Sequence, residues 1–223
     1  MSLTKVHIEA YGSEYDILVH PESHIGKRII DGKRPYELPL LEDMYNEVDE
    51  DATALDVGAH IGNHTLWMAA VCGWEVYAFE PNLDAFMQLC RNTHGMSNVH
   101  PRNYALGDEN GSAKSISLGR VAYTAIEDEQ EFPVLRLDSM LEMGKLSGRV
   151  AIIKIDVEGW EPRVIKGARN LITEHQPTIY AEARDELAFK KNLAELRPLG
   201  YERIHRFHSK LVATPVDKWV YSG

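Results

Sequence analysis

Short apolar runs alternate with longer segments whose apolar residues recur at helical spacing. The runs have the length of buried strands, and five of them are Thr53–Asp56, Glu75–Pro81, Val99–Ala105, Val150–Asp156 and Thr178–Ala183. Helices are expected between them, as over Asn82–Met96, and after the last of them over Asp185–Arg197. Strands that alternate with helices predict an α/β fold with a doubly wound, mostly parallel sheet and helices on both faces.

Two further strands, Tyr201–Phe207 and Lys218–Tyr221, are expected to form a closing antiparallel pair, which brings the sheet to seven strands. Asp138 is a possible N-cap of a brief helix over Met140–Met143. Another helix is expected to run to about Ala168.

The N-terminal segment has a different pattern. Lys5–Ala10 and Glu14–His20 alternate apolar and polar residues around a Tyr-Gly-Ser turn, which predicts a β-hairpin. Helices are expected over Ser23–Ile30 and Tyr36–Val48. We therefore predict an N-terminal hairpin and helical cap over residues 1–50 and a main domain over residues 51–223.

A glycine turn follows the first core strand and opens the next helix. Gly58 and Gly62 bracket this turn, directly after Asp56, and Glu80 ends the next strand. A glycine turn leaves backbone N–H groups aimed at a ligand above the strand end. A carboxylate about 20 residues further on is typical of a ribose-binding acid. Taken alone, two such glycines are also common in strand-to-helix turns that bind no ligand.

Four carboxylates are expected at the carboxyl edge of the sheet, where ligands bind in such folds. They are Asp56, Glu80, Asp156 and Glu158. Their mutual repulsion requires a counter-charge or a ligand, which favours a binding site over four helix caps. The glycine turn lacks the G-x-G-x-x-G pattern of a dinucleotide site. It resembles the D-x-G-x-G-x-G loop of class I S-adenosylmethionine-dependent methyltransferases, with His60 in place of the middle glycine.

Composition narrows the class of partner. The formal net charge of −10 makes a nucleic-acid backbone an unfavourable partner, without excluding local basic patches. Cys72 and Cys90 have no metal-ligand spacing, and a reduced, cytoplasmic setting is the simplest interpretation. No N-terminal apolar stretch has the length of a signal peptide or membrane span.

Several segments together resemble the FkbM family of methyltransferases. They are Leu55–Gly62, Ala78–Asn82, Asn103–Asp108, Leu135–Asp138, Ile153–Glu161 and Val164–Ala168. The run Ile153–Glu161 is the most specific, and the resemblance covers about Thr53 to Ala183. It implies a Rossmann-like methyltransferase sheet and transfer of a methyl group from S-adenosylmethionine to a hydroxyl of a sugar, glycolipid or polyketide-type acceptor.

The resemblance also implies roles for individual residues. Those expected to hold the donor are Asp56, Gly58, Ala59, His60, Gly62, Asn63, Glu80, Pro81, Asn82, Asn103, Ala105 and Asp156. Within this set the loop glycines would line the methionine part, Glu80 would bind the ribose hydroxyls, and Asn103 and Ala105 would lie near the adenine. His60 stands where the family more often has asparagine, and histidine titrates near neutrality.

A hydroxyl acceptor needs a general base. Glu158 is the first choice, with Asp156 as its orienting neighbour; His60 and His64 come second. His205 and His208 are more distant candidates, and Arg120, Tyr123 and Thr124 are candidate acceptor contacts. The His/Asp/Glu spacing matches no standard metal site, so no metal is predicted. A nucleic-acid methyltransferase, a non-catalytic cofactor-binding module and an NAD-dependent enzyme stay open as alternatives.

Overall fold

The structure is a computed structural model that describes residues 2–47, 51–114, 131–207 and 210–214. Its centre is a seven-stranded sheet in the order β11-β12-β10-β9-β3-β4-β5. Five neighbouring strands are parallel; they are β3 (Thr53–Val57), β4 (Glu75–Phe79), β5 (Val99–Arg102), β9 (Val150–Ile155) and β10 (Thr178–Glu182). The expected α/β fold with a mainly parallel central sheet is therefore confirmed.

Helices cover both faces of the sheet because its strands bury side chains on both sides. One face packs against α5 (Leu137–Glu142), α6 (Glu161–Lys166), α7 (Arg169–His175) and α8 (Glu186–Leu196). The other packs against α2 (Leu38–Glu47), α3 (Asn63–Ala70) and α4 (Leu83–Asn92). A short 3-10 helix, Arg197–Leu199, follows α8.

The N-terminal segment forms the predicted hairpin, β1 (Thr4–Ala10) and β2 (Ser13–Val19), followed by α1 (His24–Gly32). Its apolar side, including Ile8 and Ile17, packs with Leu66 of α3. Polar contacts tie it to α4, since Gln88 Nε2 donates to the Leu18 carbonyl and the Leu18 N–H donates to Asn92 Oδ1, both at 2.8 Å. These contacts fix the segment against the two helices that follow β3 and β4.

The closing antiparallel pair differs from the predicted one. Strand β11 (Arg203–Phe207) pairs with β12 (Lys210–Thr214), which in turn pairs with β10. The expected second strand, Lys218–Tyr221, lies outside the described residues, as do Arg120, Tyr123, Thr124 and His208.

The region after β5 also differs from the prediction. The pattern predicts strands over Ser112–Leu118 and Pro133–Leu137 but not the separate small sheet that they enter. This sheet joins β6 (Ala105–Leu106), β8 (Glu131–Leu135) and β7 (Gly111–Lys114) in that order. Helix α7, also unpredicted, follows α6 after a short break.

The prediction that Asp138 caps its own helix was wrong. Helix α5 begins at Leu137, before this residue. The Asp138 carboxylate accepts the N–H groups of Asn170 and Leu171 at 3.0 and 3.1 Å, in the first turn of α7. It therefore caps a helix from another part of the chain.

Within the described ranges, no helix combines the length and apolar character needed to cross a bilayer.

Candidate functional site

A pocket opens at the carboxyl ends of β3, β4 and β9 and holds about 490 Å³ of space, including its mouth. Its wall contains six of the predicted site residues, namely Gly58, Glu80, Pro81, Ala105, Asp156 and Glu158. It also contains six others, namely Val57, Phe79, Tyr104, Leu106, Val157 and Trp160. Ligand pockets of about 300–1,000 Å³ commonly combine an apolar lining with a few polar groups, so this pocket is the candidate site.

The glycine turn needs its first glycine for both space and backbone conformation. Gly58 has a φ of +79°, and a Cβ there would lie 1.9 Å from the Asp156 carbonyl oxygen. The N–H groups of Gly58 and Ala59 each donate to the Phe79 carbonyl at 3.0 Å. Any larger residue at 58 would push β3 away from β9.

A buried ion pair supports this turn from beneath. Asp56 is fully buried, and its carboxylate lies 3.0 Å from the ammonium of Lys154, which is itself 2% exposed. Lys154 also donates to the Gly58 carbonyl at 2.8 Å, and the Thr65 hydroxyl donates to Asp56 at 2.6 Å. Although burial opposes ionisation, the Lys154 charge holds the pKa of Asp56 below its usual value. Asp56 therefore lies under the loop and outside the pocket wall.

Glu80 occupies the end of β4 and faces the pocket. It is 6% exposed, and its two carboxylate oxygens accept the N–H groups of His60 at 2.9 Å and Asn82 at 2.8 Å. Burial raises the pKa of Glu80 to about 7, against the effect of these hydrogen bonds. A carboxylate has about four acceptor positions, so Glu80 can still accept hydroxyl donors from a ligand.

His60 lies beside Glu80 in a left-handed backbone conformation, with a φ of +51°. Burial and the nearby Lys154 charge lower the pKa of its imidazole to about 4. The expectation that His60 titrates near neutrality was therefore wrong. A neutral imidazole with so low a pKa is a weak base, which reduces its value as a proton acceptor.

Several predicted donor residues lie outside the pocket wall and make supporting contacts. The Asn63 amide pairs with the backbone of Tyr36 through two 2.9 Å hydrogen bonds. Asn82 caps α4 through the Ala85 N–H, and Asn103 Nδ2 donates to the Glu80 carbonyl at 2.9 Å. Ala59 is buried, and Gly62 begins α3 with a φ of +90°. These residues hold the two strand ends that form the wall.

Asp156 and Glu158 of the pocket wall lie beside a third carboxylate, Glu182, and a cation, Arg184, which are outside the wall. One oxygen from each of Asp156, Glu158 and Glu182 lies within 4.8 Å of the others, a spacing that could hold a metal ion. Arg184 forms ion pairs with Glu158 and, at 3.0 Å, with Glu182. The counter-charges that the acidic edge requires are thus Arg184 here and Lys154 beneath the loop.

Glu158 is held by a tight turn. Glu158 and Gly159 have φ values of +59° and +96°. The buried Glu161 carboxylate accepts the N–H groups of Val157 and Gly159 at 3.0 and 3.1 Å, which closes the turn. Burial raises the pKa of Glu158, while the Arg184 charge opposes this rise. An acid with a raised pKa at a pocket wall suits proton transfer.

His64 does not join this group. Its Nε2 lies 3.2 Å from Glu37 in the N-terminal segment, and its side chain is buried.

Sequence reasoning missed the supporting roles of Lys154, Glu161 and Arg184. A lysine within the apolar run of β9 was a usable signal, because a buried lysine requires a partner. Arg184 carried no such signal, because it follows β10 among other polar residues.

Comparison with known proteins identifies the family of this chain. Residues 56–203 match the model of the methyltransferase FkbM domain. The hexuronic acid methyltransferase AglP of Haloferax volcanii is 29% identical over 143 residues, which are 61% of this chain. The match spans 58% of that relative's length.

Two solved structures share the fold. An FkbM methyltransferase from Methylobacillus flagellatus has a TM-score of 0.55 and 19% identity, covering 75% of this chain and 44% of that one. A SAM-dependent O-methyltransferase from Thermotoga maritima has a TM-score of 0.53 and 15% identity, covering 94% and 77%. At these identities the likeness concerns the fold alone. Because the family model spans more than half of the sequence, the chain belongs to the FkbM family of methyltransferases.

Proposed function

We propose that this protein transfers a methyl group from S-adenosylmethionine to a hydroxyl oxygen of a sugar. The observation that carries the proposal is one pocket with Glu80 on one side and Asp156 and Glu158 on the other. Similarity to a hexuronic acid methyltransferase supports a sugar acceptor.

The residues of the wall fit the donor in our proposal. Glu80 accepts hydrogen bonds from the ribose hydroxyls. Pro81 and Ala105 contact the adenosine, beside the apolar side chains of Phe79 and Leu106. The backbone at Gly58 borders the methionine part, and Ala59, His60, Gly62, Asn63, Asn82 and Asn103 support the loop and strand ends. The donor supplies an electrophilic methyl group on a sulfonium.

Glu158 is the general base in this proposal. As the acceptor oxygen takes the methyl group and the sulfur–methyl bond breaks, the acceptor O–H proton passes to the Glu158 carboxylate. Asp156, at the end of β9, orients Glu158 and adds negative charge near the sulfonium. Much of the rate enhancement comes from aligning the two reactants in a pocket with little water.

Calorimetric titration with S-adenosylmethionine, and with NADH in parallel, tests the donor assignment. We expect saturable binding of the methyl donor and none of NADH. Binding of NADH alone would contradict the proposal and favour the dehydrogenase alternative.

Methyl transfer from labelled donor to a panel of neutral and uronic acid glycosides tests the acceptor. An alkali-stable methyl ether is the expected product. An alkali-labile methyl ester would show that a carboxylate, which needs no base, is the acceptor instead. Labelling of RNA or DNA without labelling of any sugar would favour the nucleic-acid alternative.

A further inference from the structure

Arg184 gives the acidic side of the pocket a cation that is largely exposed to solvent. Its Nε donates to Glu182 at 3.0 Å and its Nη2 forms the ion pair with Glu158. The Arg184 side chain is 58% exposed, whereas those of Glu158 and Glu182 are 14% and 10% exposed. The guanidinium thus contacts two carboxylates, and the rest of its surface is open to solvent.

The two contacts of Arg184 play different parts. The Nε contact joins it to Glu182, a nearly buried carboxylate at the end of the preceding strand, β10, which anchors the side chain. The Nη2 contact reaches across to Glu158 on the turn after β9. Because the Arg184 side of this ion pair is largely exposed, an incoming carboxylate can reach Nη2 and replace Glu158 as its partner. Arginine suits this exchange because its planar guanidinium binds carboxylates through paired N–H groups.

The surrounding charge restricts where an anionic acceptor can bind. The converging carboxylates of Asp156, Glu158 and Glu182 repel an acceptor carboxylate. The Arg184 guanidinium, which contacts Glu158 and Glu182, attracts it. We propose that Arg184 recognises the carboxylate of a uronic acid acceptor and, by exchanging partners, releases Glu158 for proton transfer. This inference rests on the proposed function and names its acceptor class as acidic sugars.

The exchange has a consequence for the base. Arg184 opposes the rise in the pKa of Glu158 caused by burial. When the guanidinium turns to the acceptor, Glu158 loses this neighbour and becomes more basic. The base is therefore strengthened when an acidic acceptor is in place, while a neutral sugar leaves Glu158 paired.

Binding of matched glycosides tests the recognition step without chemistry. We would titrate methyl glucuronoside and methyl galacturonoside, and the neutral methyl glucoside and methyl galactoside, into the protein saturated with S-adenosylhomocysteine. The uronosides should bind at least about 10-fold more tightly, as expected for a charged hydrogen bond. Arg184→Gln should erase this preference and Arg184→Lys should retain part of it. Arg169→Gln, which removes another exposed arginine paired with a glutamate, should leave it unchanged.

Kinetics separate recognition from a structural role. In Arg184→Gln, we expect KM for the uronosides to rise about 10-fold or more. We also expect kcat for the neutral sugars to increase, because Glu158 is no longer paired. A general loss of structure would instead lower kcat for acidic and neutral sugars alike.

Three results of the binding experiment would overturn the inference. They are equal binding of acidic and neutral sugars by the unmodified protein, no binding of either uronoside, and a preference that persists in Arg184→Gln. Methylation of neutral sugars in preference to uronosides would refute the inference while leaving the proposed function standing. Methylation of no sugar at all would instead refute the proposed function.

Discussion

The two sides of the pocket are built differently. On the Glu80 side, carboxylates are almost fully buried and are held by backbone N–H groups and the buried Lys154. On the Glu158 side, the Glu158 and Glu182 carboxylates are 14% and 10% exposed, but their cation, Arg184, is mostly exposed. A buried network with satisfied hydrogen bonds is rigid, whereas exposed ion pairs rearrange easily.

This difference matches the two tasks that we propose. A rigid wall suits a donor that is the same molecule in every reaction. An adjustable wall suits an acceptor that must displace an ion pair before it reacts. Substitutions on the two sides test this difference.

The largest effect is expected beneath the glycine loop. Lys154→Met leaves the charge of Asp56 buried and unpaired, which should lower the free energy of unfolding by about 3–5 kcal/mol. Urea denaturation measures this. Lys166→Met removes an exposed lysine paired with Asp108 and should cost no more than about 1 kcal/mol. Equal losses from both variants would show that burial does not distinguish the two pairs.

The next effect is expected on the adjustable side. Glu158→Gln removes the proposed base and should lower kcat at least about 100-fold. Donor affinity, measured by calorimetry, should change little because Glu80 is untouched. If turnover is unaffected, the base lies elsewhere.

A smaller effect is expected at Glu80. Glu80→Ala should weaken donor binding by about 10- to 100-fold, through lost hydrogen bonds to a charged acceptor. Donor affinity of the unmodified protein should rise as pH increases through about 7, since burial raises the pKa of Glu80 to about 7 and the ionised form is the stronger acceptor. Calorimetry across this range should show no such rise in Glu80→Ala. Unchanged affinity in the variant would remove Glu80 from the donor site.

The smallest effect concerns His60. The pKa of His60 in the folded chain is about 4, below the usual 6.5. As pH falls below about 6.5, the unfolded chain therefore binds a proton at His60 and the folded chain does not. Stability contributed by the neutral imidazole is thus present above pH 6.5 and lost towards pH 4. His60→Asn removes this loss, and asparagine tolerates the positive φ. Relative to the unmodified protein, the variant should gain about 1–2 kcal/mol between pH 7.5 and pH 5 in urea denaturation. If the difference in the free energy of unfolding between His60→Asn and the unmodified protein is the same at both pH values, the pKa of about 4 for His60 is contradicted.

Local patterns in the sequence were sufficient to predict the core strands, the glycine turn and the acids at the strand ends. Apolar runs predicted the parallel strands, because a buried strand must be apolar on both faces. The turn at Gly58 and the acid Glu80 were predictable because the strand, turn and next strand end are close in sequence. The fold class followed from these segments, and the strand ends also predicted the pocket acids Glu80, Asp156 and Glu158.

Which charged side chains contact one another depends on the tertiary structure. Lys154 lies 96 positions from the glycine whose carbonyl it binds, and Asp138 caps a helix more than 30 residues away. Arg184 meets Glu158 only because β9 and β10 are adjacent parallel strands whose carboxyl ends coincide. Such pairings depend on strand order and register, which hydrophobic patterning does not specify, since it records only whether a position is buried and not which distant residue lies opposite it.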